Sequence, residues 1–488
     1  MREWRTLTLS EELATKSATE LAALIRSRVV SPVEVLEAHL RRIERLNPQL
    51  NAIVTLAPDA LDRARAAESA LTTGGEIGTL HGVPLTVKDT IETEGVRTTS
   101  GSRLLTEHIP VRDAAVVARL KSAGAIVCGK TNTPEMAAYY ECDNPVFKRT
   151  NNPYDLSRTS GGSSGGEAAA IAACLSPGGI GSDLAGSIRL PAHFCGIAGL
   201  KPTMGRVSMD GHIPAATGPL SLGACIGPMA RSVADLSLLF GMMADAAPSE
   251  ISGQDASLDR DTAGLQGLRV AWYTDDGVAP VTRETRDAVL ASAKALSDRG
   301  LEVDEARPPG VADGFRLWIE LFARAVTAQL REFYRGKEDQ AGPQVAAMLG
   351  KFDQRTDLND RVSEAEKLAA AVVERERLRE ELLRWMKTTP LILAPVGSTP
   401  AFAHSARRVE VSGESISVWR AFSYSQTFNV FGLPSVSVPT GRSAKGLPIG
   451  VQIVGRPFAE RTVLAAAEIL EQALGGWQRP PNFQQSAE

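Results

Sequence analysis

SRTSGGSSGGEAAA, residues 157–170, sets two adjacent serines, Ser163 and Ser164, between two glycine pairs, and Ser187 follows in a second glycine-bearing stretch, GSDLAGSIR, residues 181–189. Gly161-Gly-Ser163-Ser-Gly165 satisfies G-x-S-x-G, the turn on which α/β-hydrolases mount a nucleophile. That turn needs a hydrophobic strand directly before it, whereas NNPYDLSRTS, residues 151–160, is polar and turn-forming. The triad would also need a histidine downstream of its acid. Of six histidines only His212 and His404 are well placed, and neither stands in a context that singles it out.

The flanks on either side still read as α/β. From about residue 81, short apolar runs (GVPLTVKD, GAIVCGK, CGIAGLKP) alternate with glycine-rich turns and helical stretches such as AAVVARLKSAG. Upstream, Ser17-Ala-Thr-Glu20 and Ser31-Pro-Val-Glu34 are capping boxes, the second with Pro32 at the first helical position, so residues 1–70 read as an N-terminal helical layer. Residues 71–254 form the α/β core. Residues 255–390 are more charged and helical and read as an insertion or cap, and residues 391–488 return to the strand-and-turn texture of the core.

A chain of 488 residues with 43% hydrophobic and 23% charged side chains has the material for a large core. Its 53 Lys and Arg against 57 Asp and Glu leave a net charge of −4 with no long single-sign run. Nucleic acid and anionic lipid are therefore not expected partners, and a small neutral or amphipathic ligand is. Five cysteines without C-x-x-C or paired Cys/His spacing read as reduced core thiols, not a zinc site. No apolar run of about 18 residues and no signal-peptide core is present, so a soluble, cytoplasmic protein without a membrane span is expected.

Gly124-Ala-Ile-Val-Cys-Gly129-Lys130-Thr131 matches the phosphate-loop pattern letter for letter. A phosphate loop follows a strand and opens a helix, but here a helical stretch precedes Gly124 and AIVC is itself the strand. Lys130 reads instead as a strand-end lysine, with Asn132 or Thr133 capping a helix that begins at Pro134.

A serine hydrolase without a suitable histidine can use a neutral lysine as its base. The reference lysine pKa of about 10.4 must then be lowered by burial among polar, uncharged partners, because desolvation disfavours the ammonium form. Serine hydroxyls suit, since they donate and accept. The sequence offers Lys88 at the end of VPLTVK, Ser163 in the glycine turn and Ser187 in the second turn.

GVPLTVKDT with Lys88, SRTSGGSSGGEAAA with Ser163 and GSDLAGSIRLPAHFCGIAGLKPT with Ser187 resemble the amidase signature family, at spacings of 75 and 24 residues that fit its pattern. The resemblance runs on through NVFGLPSVSVPTG and GLPIGVQIVGRPFAE and leaves out only residues 255–390. It implies one large α/β domain, a central mixed β-sheet covered by helices on both faces. It further implies amide hydrolysis through an acyl-enzyme on Ser187, with Ser163 on a cis peptide relaying a proton to the base Lys88, and no metal or other cofactor. The backbone N–H groups of Leu184, Ala185 and Gly186 would form the oxyanion hole. The family usually has Gly where Ala185 stands and Thr where Ser182 stands, and the Cβ of Ala185 makes a positive φ there unfavourable. Asp183 and Arg189 read as an ion pair bracing the turn, and Ser164 either supports Lys88 by a hydrogen bond or is ordinary turn chemistry.

Met136, Ala137, Tyr139 and Tyr140 follow a family segment that lines the acyl channel. Trp318 and Phe322, four apart in LWIELFARA, either cover that channel or are core aromatics. The amidotransferase subunit that releases ammonia from glutamine shares this core but usually shows Asp-Gln shortly before its Gly-Pro. LGACIGPMARS has Ala224 and Cys225 there, and YYECDNPVFKRTNNPYDLSRT resembles the branch that cleaves free lipid, aryl or alkyl amides. The expected function is thus a stand-alone amidase, monomer or homodimer, on hydrophobic or aryl amides and also on esters and carbamates. The alternatives are a partner-dependent amidotransferase subunit and a nucleotide-binding protein using Gly124 to Thr131.

Overall fold

The two capping boxes close as their spacing dictates. Ser17 Oγ accepts the Glu20 N–H while the Glu20 carboxylate accepts the Ser17 N–H, and Ser31 and Glu34 repeat the exchange. Each cap is worth about 1 kcal/mol and starts its helix, Ala18–Arg26 and Pro32–Leu50. The computed structural model describes residues 11–244, 262–353 and 360–483.

Eleven strands build one mixed sheet. They are β1 Ile53–Leu56, β2 Pro84–Lys88, β3 Ile126–Thr131, β4 Gly178–Asp183, β5 Ala198–Lys201, β6 Cys225–Ala230, β7 Arg269–Trp272, β8 Glu302–Glu305, β9 Leu391–Pro395, β10 Ser435–Arg442 and β11 Pro448–Val454. Their order is β1-β3-β2-β4-β6-β5-β10-β11-β9-β7-β8. β3, β2 and β4 are parallel, as are β9, β7 and β8, and the strands between pair antiparallel. Side chains alternate between the faces with the strand period of two: Leu391 and Leu393 enter one apolar cluster, Ile392 and Ala394 the other. Both faces are therefore buried, under helices such as Arg283–Asp298 and Glu460–Leu474 on the first. Continuous apolar strands like LILAP are what a sheet covered on both sides requires.

Two expectations are corrected. Residues 255–390 contribute β7 and β8 as well as helices, because the four-residue strands RVAW and EVDE are too short to stand out beside long helical runs. No regular helix begins at Pro134, only the 3-10 turn Glu135–Ala137, in which Met136 and Ala137 take φ of 54° and 56°. The phosphate-loop match is turn and strand: the helix Ala115–Ser122 precedes it and Ile126–Thr131 is β3. Lys130 is fully buried, its ammonium donating to Thr93 Oγ1 and Thr98 Oγ1 and to the Ile91 carbonyl.

Candidate active site

β2 and β4 lie side by side and parallel, with Thr86 opposite Gly179 and Val87 opposite Ile180, so the chain brings Lys88 and Ser182 out at the same sheet end. The carboxyl ends of parallel strands are where α/β sheets open a crevice. The helix Gly165–Ala172 packs against these strands at close range because Gly179 and Gly181 lack side chains: a Cβ would lie 2.1 Å from Glu167 Oε1 and 2.7 Å from Ser164 Oγ respectively. That approach delivers the turn carrying Ser163, whose bond from Gly162 is cis, onto the lysine.

Lys88 is fully buried, and its Nζ donates to Ser163 Oγ at 2.6 Å and to Ser182 Oγ at 3.0 Å. Burial pulls the amine down to about 7, against the opposing charges of Asp183 and Glu167. Both hydroxyls are uncharged partners, so no contact compensates the full cost of a buried ammonium. Ser187, 7% exposed, lines the same cavity as Ser163. Ser164 does not reach the lysine: its Oγ bonds the carbonyl and the N–H of Ser182, and its own N–H donates to the Ser187 carbonyl.

The turn from Asp183 to Ser187 is held from several sides. Arg189 donates to both Asp183 carboxylate oxygens at 3.0 and 3.1 Å, both side chains fully buried, and it also bonds Gln452 and Asn429. Burial alone would raise the Asp183 carboxyl, but the Arg189 guanidinium holds it well below the usual carboxylate range. The brace expected from the sequence is present. Asp183 Oδ1 also accepts the Gly186 N–H at 2.8 Å. Gly186 is thus spent as an oxyanion donor, correcting its place beside Leu184 and Ala185. Its φ of 99° explains why glycine stands there, while Ala185 keeps a negative φ.

Two aromatic side chains grip the same turn. Trp318 Nε1 donates to the Leu184 carbonyl at 2.9 Å and Tyr140 Oη to the Ala185 carbonyl at 3.2 Å. A trans peptide points its C=O and its N–H in opposite directions. Trp318 therefore sets the direction of the Ala185 N–H, and Tyr140 that of the Gly186 N–H that Asp183 receives.

A cavity of about 550 Å³ opens over these groups. Met136, Ala137, Tyr139 and Tyr140 all line it, with Trp318, Phe315 and Trp419, and Trp318 stacks on Trp419 at 5.5 Å. Among the described residues Asp183 is the only charged group on its wall, and Arg189 neutralises it. Phe322 faces away, closing on Gly223 in the core, because a π-helical turn, Ile319–Ala323, breaks the four-residue alignment with Trp318. Two residues escaped the sequence reading. Trp419 comes from a segment more than 200 residues away in sequence, and His212 places Nε2 2.9 Å from Ser182 Oγ. His404 instead meets Glu141. No cluster of three metal-ligating side chains and no helix long and apolar enough to cross a membrane occurs among the described residues.

The family model described as Amidase matches residues 34–464. The amidase-type component of glutamyl-tRNA(Gln) amidotransferase from Anaeromyxobacter sp. (strain K) is 35% identical over 97% of this chain and 99% of its own. Human fatty-acid amide hydrolase 2 is 32% identical over 97% of this chain and 92% of its own. The solved structure of a bacterial aryl acylamidase superposes with a TM-score of 0.81 at 26% identity, over 94% of this chain and 96% of that one. With the eleven-stranded sheet and the lysine-serine geometry at its crevice, these likenesses establish that the chain belongs to the amidase signature family.

Proposed function

We propose that this protein hydrolyses apolar amides, aryl and medium-chain acyl amides above all, through an acyl-enzyme on Ser187. The observation that carries the reading is a buried lysine near neutrality, bonded only to serine hydroxyls, beneath a cavity walled by aromatic and aliphatic side chains. Lys88 takes the Ser163 proton as Ser163 takes that of Ser187, whose Oγ attacks the carbonyl carbon. The N–H groups of Leu184 and Ala185 receive the oxyanion. On collapse the C–N bond breaks, and the proton returns through Ser163 to the departing amine. Water repeats the sequence on the acyl-enzyme and frees Ser187. Esters and aryl carbamates form the same oxyanion and are accepted on that ground, and the scheme uses no metal.

A glutamine-dependent amidotransferase component is the second reading, favoured by the 35% identity to one such protein. Against it, Ala224 and Cys225 present an apolar wall to the cavity where the resemblance leads one to expect Asp-Gln. Glutamine's polar side chain would find few partners there. The test is the purified chain alone, without glutamine, ATP or a partner protein, on chromogenic anilides, esters and carbamates. Turnover of an anilide supports the first reading. Activity confined to glutamine, or appearing only with partner proteins, supports the second.

A further inference from the structure

His212 sits on Gly211-His212-Ile213-Pro214, which is pinned beside β2 by Ile213 N–H to the Thr90 carbonyl and by Ser100 Oγ–H to the Ile213 carbonyl. Its two ring nitrogens have different partners. Nδ1 lies 2.8 Å from the Pro214 carbonyl oxygen and Nε2 lies 2.9 Å from Ser182 Oγ. A carbonyl oxygen only accepts, so the proton is assigned to Nδ1. Burial holds the imidazole at about 4, so at neutral pH Nε2 carries only a lone pair. Ser182 must then donate its hydroxyl proton to Nε2, and its oxygen is left to accept from Lys88 Nζ at 3.0 Å.

One backbone carbonyl thereby orients a chain of donors from Lys88 through Ser182 to His212. A neutral amine has two N–H bonds and one lone pair. With an N–H committed to Ser182, the lone pair is available to Ser163 Oγ, 2.6 Å away. Without an acceptor at His212, the Ser182 hydroxyl turns its proton onto Nζ and occupies the lone pair that must receive the Ser163 proton. We propose that His212 is a positioning residue, which acts through Ser182 to keep the lone pair of Lys88 directed at Ser163. This rests on Lys88 being the base.

The test measures kcat and KM of the full chain on a chromogenic anilide for His212→Leu, His212→Gln, Ser182→Ala, the Ser182→Ala/His212→Leu double variant and Lys88→Met. One misdirected hydrogen bond at the base predicts that His212→Leu lowers kcat about tenfold or more, with KM changed less than about threefold. Glutamine, whose amide offers one acceptor and donors, restores most of kcat. The double variant is no slower than Ser182→Ala alone, because both act on one link. Full kcat in His212→Leu while Lys88→Met is inactive overturns the proposal and leaves the base standing, as does additivity in the double variant. An active Lys88→Met sinks the base itself. Should His212→Leu unfold, His212→Phe, which keeps the ring volume, reads the same link.

Discussion

A lysine at the end of a strand is usually a solvated charge, and Lys88 is not because the glycine turn at 161–166 and β4 close over it. Its function follows from which proton state that environment allows. Below about 7 the amine is an ammonium with no lone pair, and above it the neutral base is present. Activity should therefore rise through neutral pH and level off on the alkaline side, whereas an unperturbed imidazole base would place the limb near about 6.5. A kcat/KM that stayed flat from about pH 6 to about pH 9 would exclude a base of this kind. Substitution separates the three roles. Ser187→Ala should abolish labelling by a fluorophosphonate, and Ser163→Ala and Lys88→Ala should each lower kcat by about three orders of magnitude or more, since relay members fail as a unit. All three should keep their thermal transition, as each removes a side chain without unpairing a buried charge. A probe that labelled Ser163 and spared Ser187 would reverse the assignment.

At the scale of elements, the turn from Asp183 to Ser187 depends on side chains delivered from far away in sequence. Trp318 reaches it from the π-helical turn region of residues 255–390 and spends its only donor on the Leu184 carbonyl. Trp318→Phe keeps an aromatic wall and deletes that bond, worth about 1 kcal/mol, so kcat should fall about fivefold with little change in KM. A raised KM with kcat intact would mean that the indole serves only as wall. Arg189→Met leaves the Asp183 carboxylate buried and unpaired, which costs about 3–5 kcal/mol, and thermal denaturation should show a large loss of stability. These links also mark what was legible. Lys88, Ser163 and Ser187 stand out because glycine-flanked turns and a strand end carry their own local signature, as do the two capping boxes. His212 does not, because its meaning lies in a bond to a serine 30 residues away, created when β2 and β4 pair in parallel. The loss of Gly186 as a donor was hidden for the same reason: Asp183 reads as a partner of Arg189, and only the folded turn shows it also taking a backbone N–H.

For the whole molecule, substrate preference is set by how residues 255–390 meet the catalytic half. Trp318, Phe315, Ile319 and Val326 from that segment face Leu184, Met136 and Tyr139 across the cavity, and Trp419 closes the ring between Trp318 and Tyr139. A space of about 550 Å³ exceeds what acetamide or malonamide would fill and suits a ring or a medium acyl chain. Each methylene taken from water into such a site contributes about 0.8 kcal/mol, or about fourfold in kcat/KM. Lengthening the acyl group of an anilide by four carbons should therefore raise kcat/KM by about two orders of magnitude until the cavity is full. A charged acyl terminus should reverse the gain, because no unpaired counter-charge on the described wall replaces its hydration. Trp419→Ala, which opens the aromatic ring without touching Lys88, Ser163 or Ser187, should flatten the chain-length slope more than it lowers turnover of the shortest substrate. Equal kcat/KM for acetanilide and its hexanoyl analogue, or a preference for glutamine over both, would show that the cavity does not select by apolar contact and would return the chain to the amidotransferase reading.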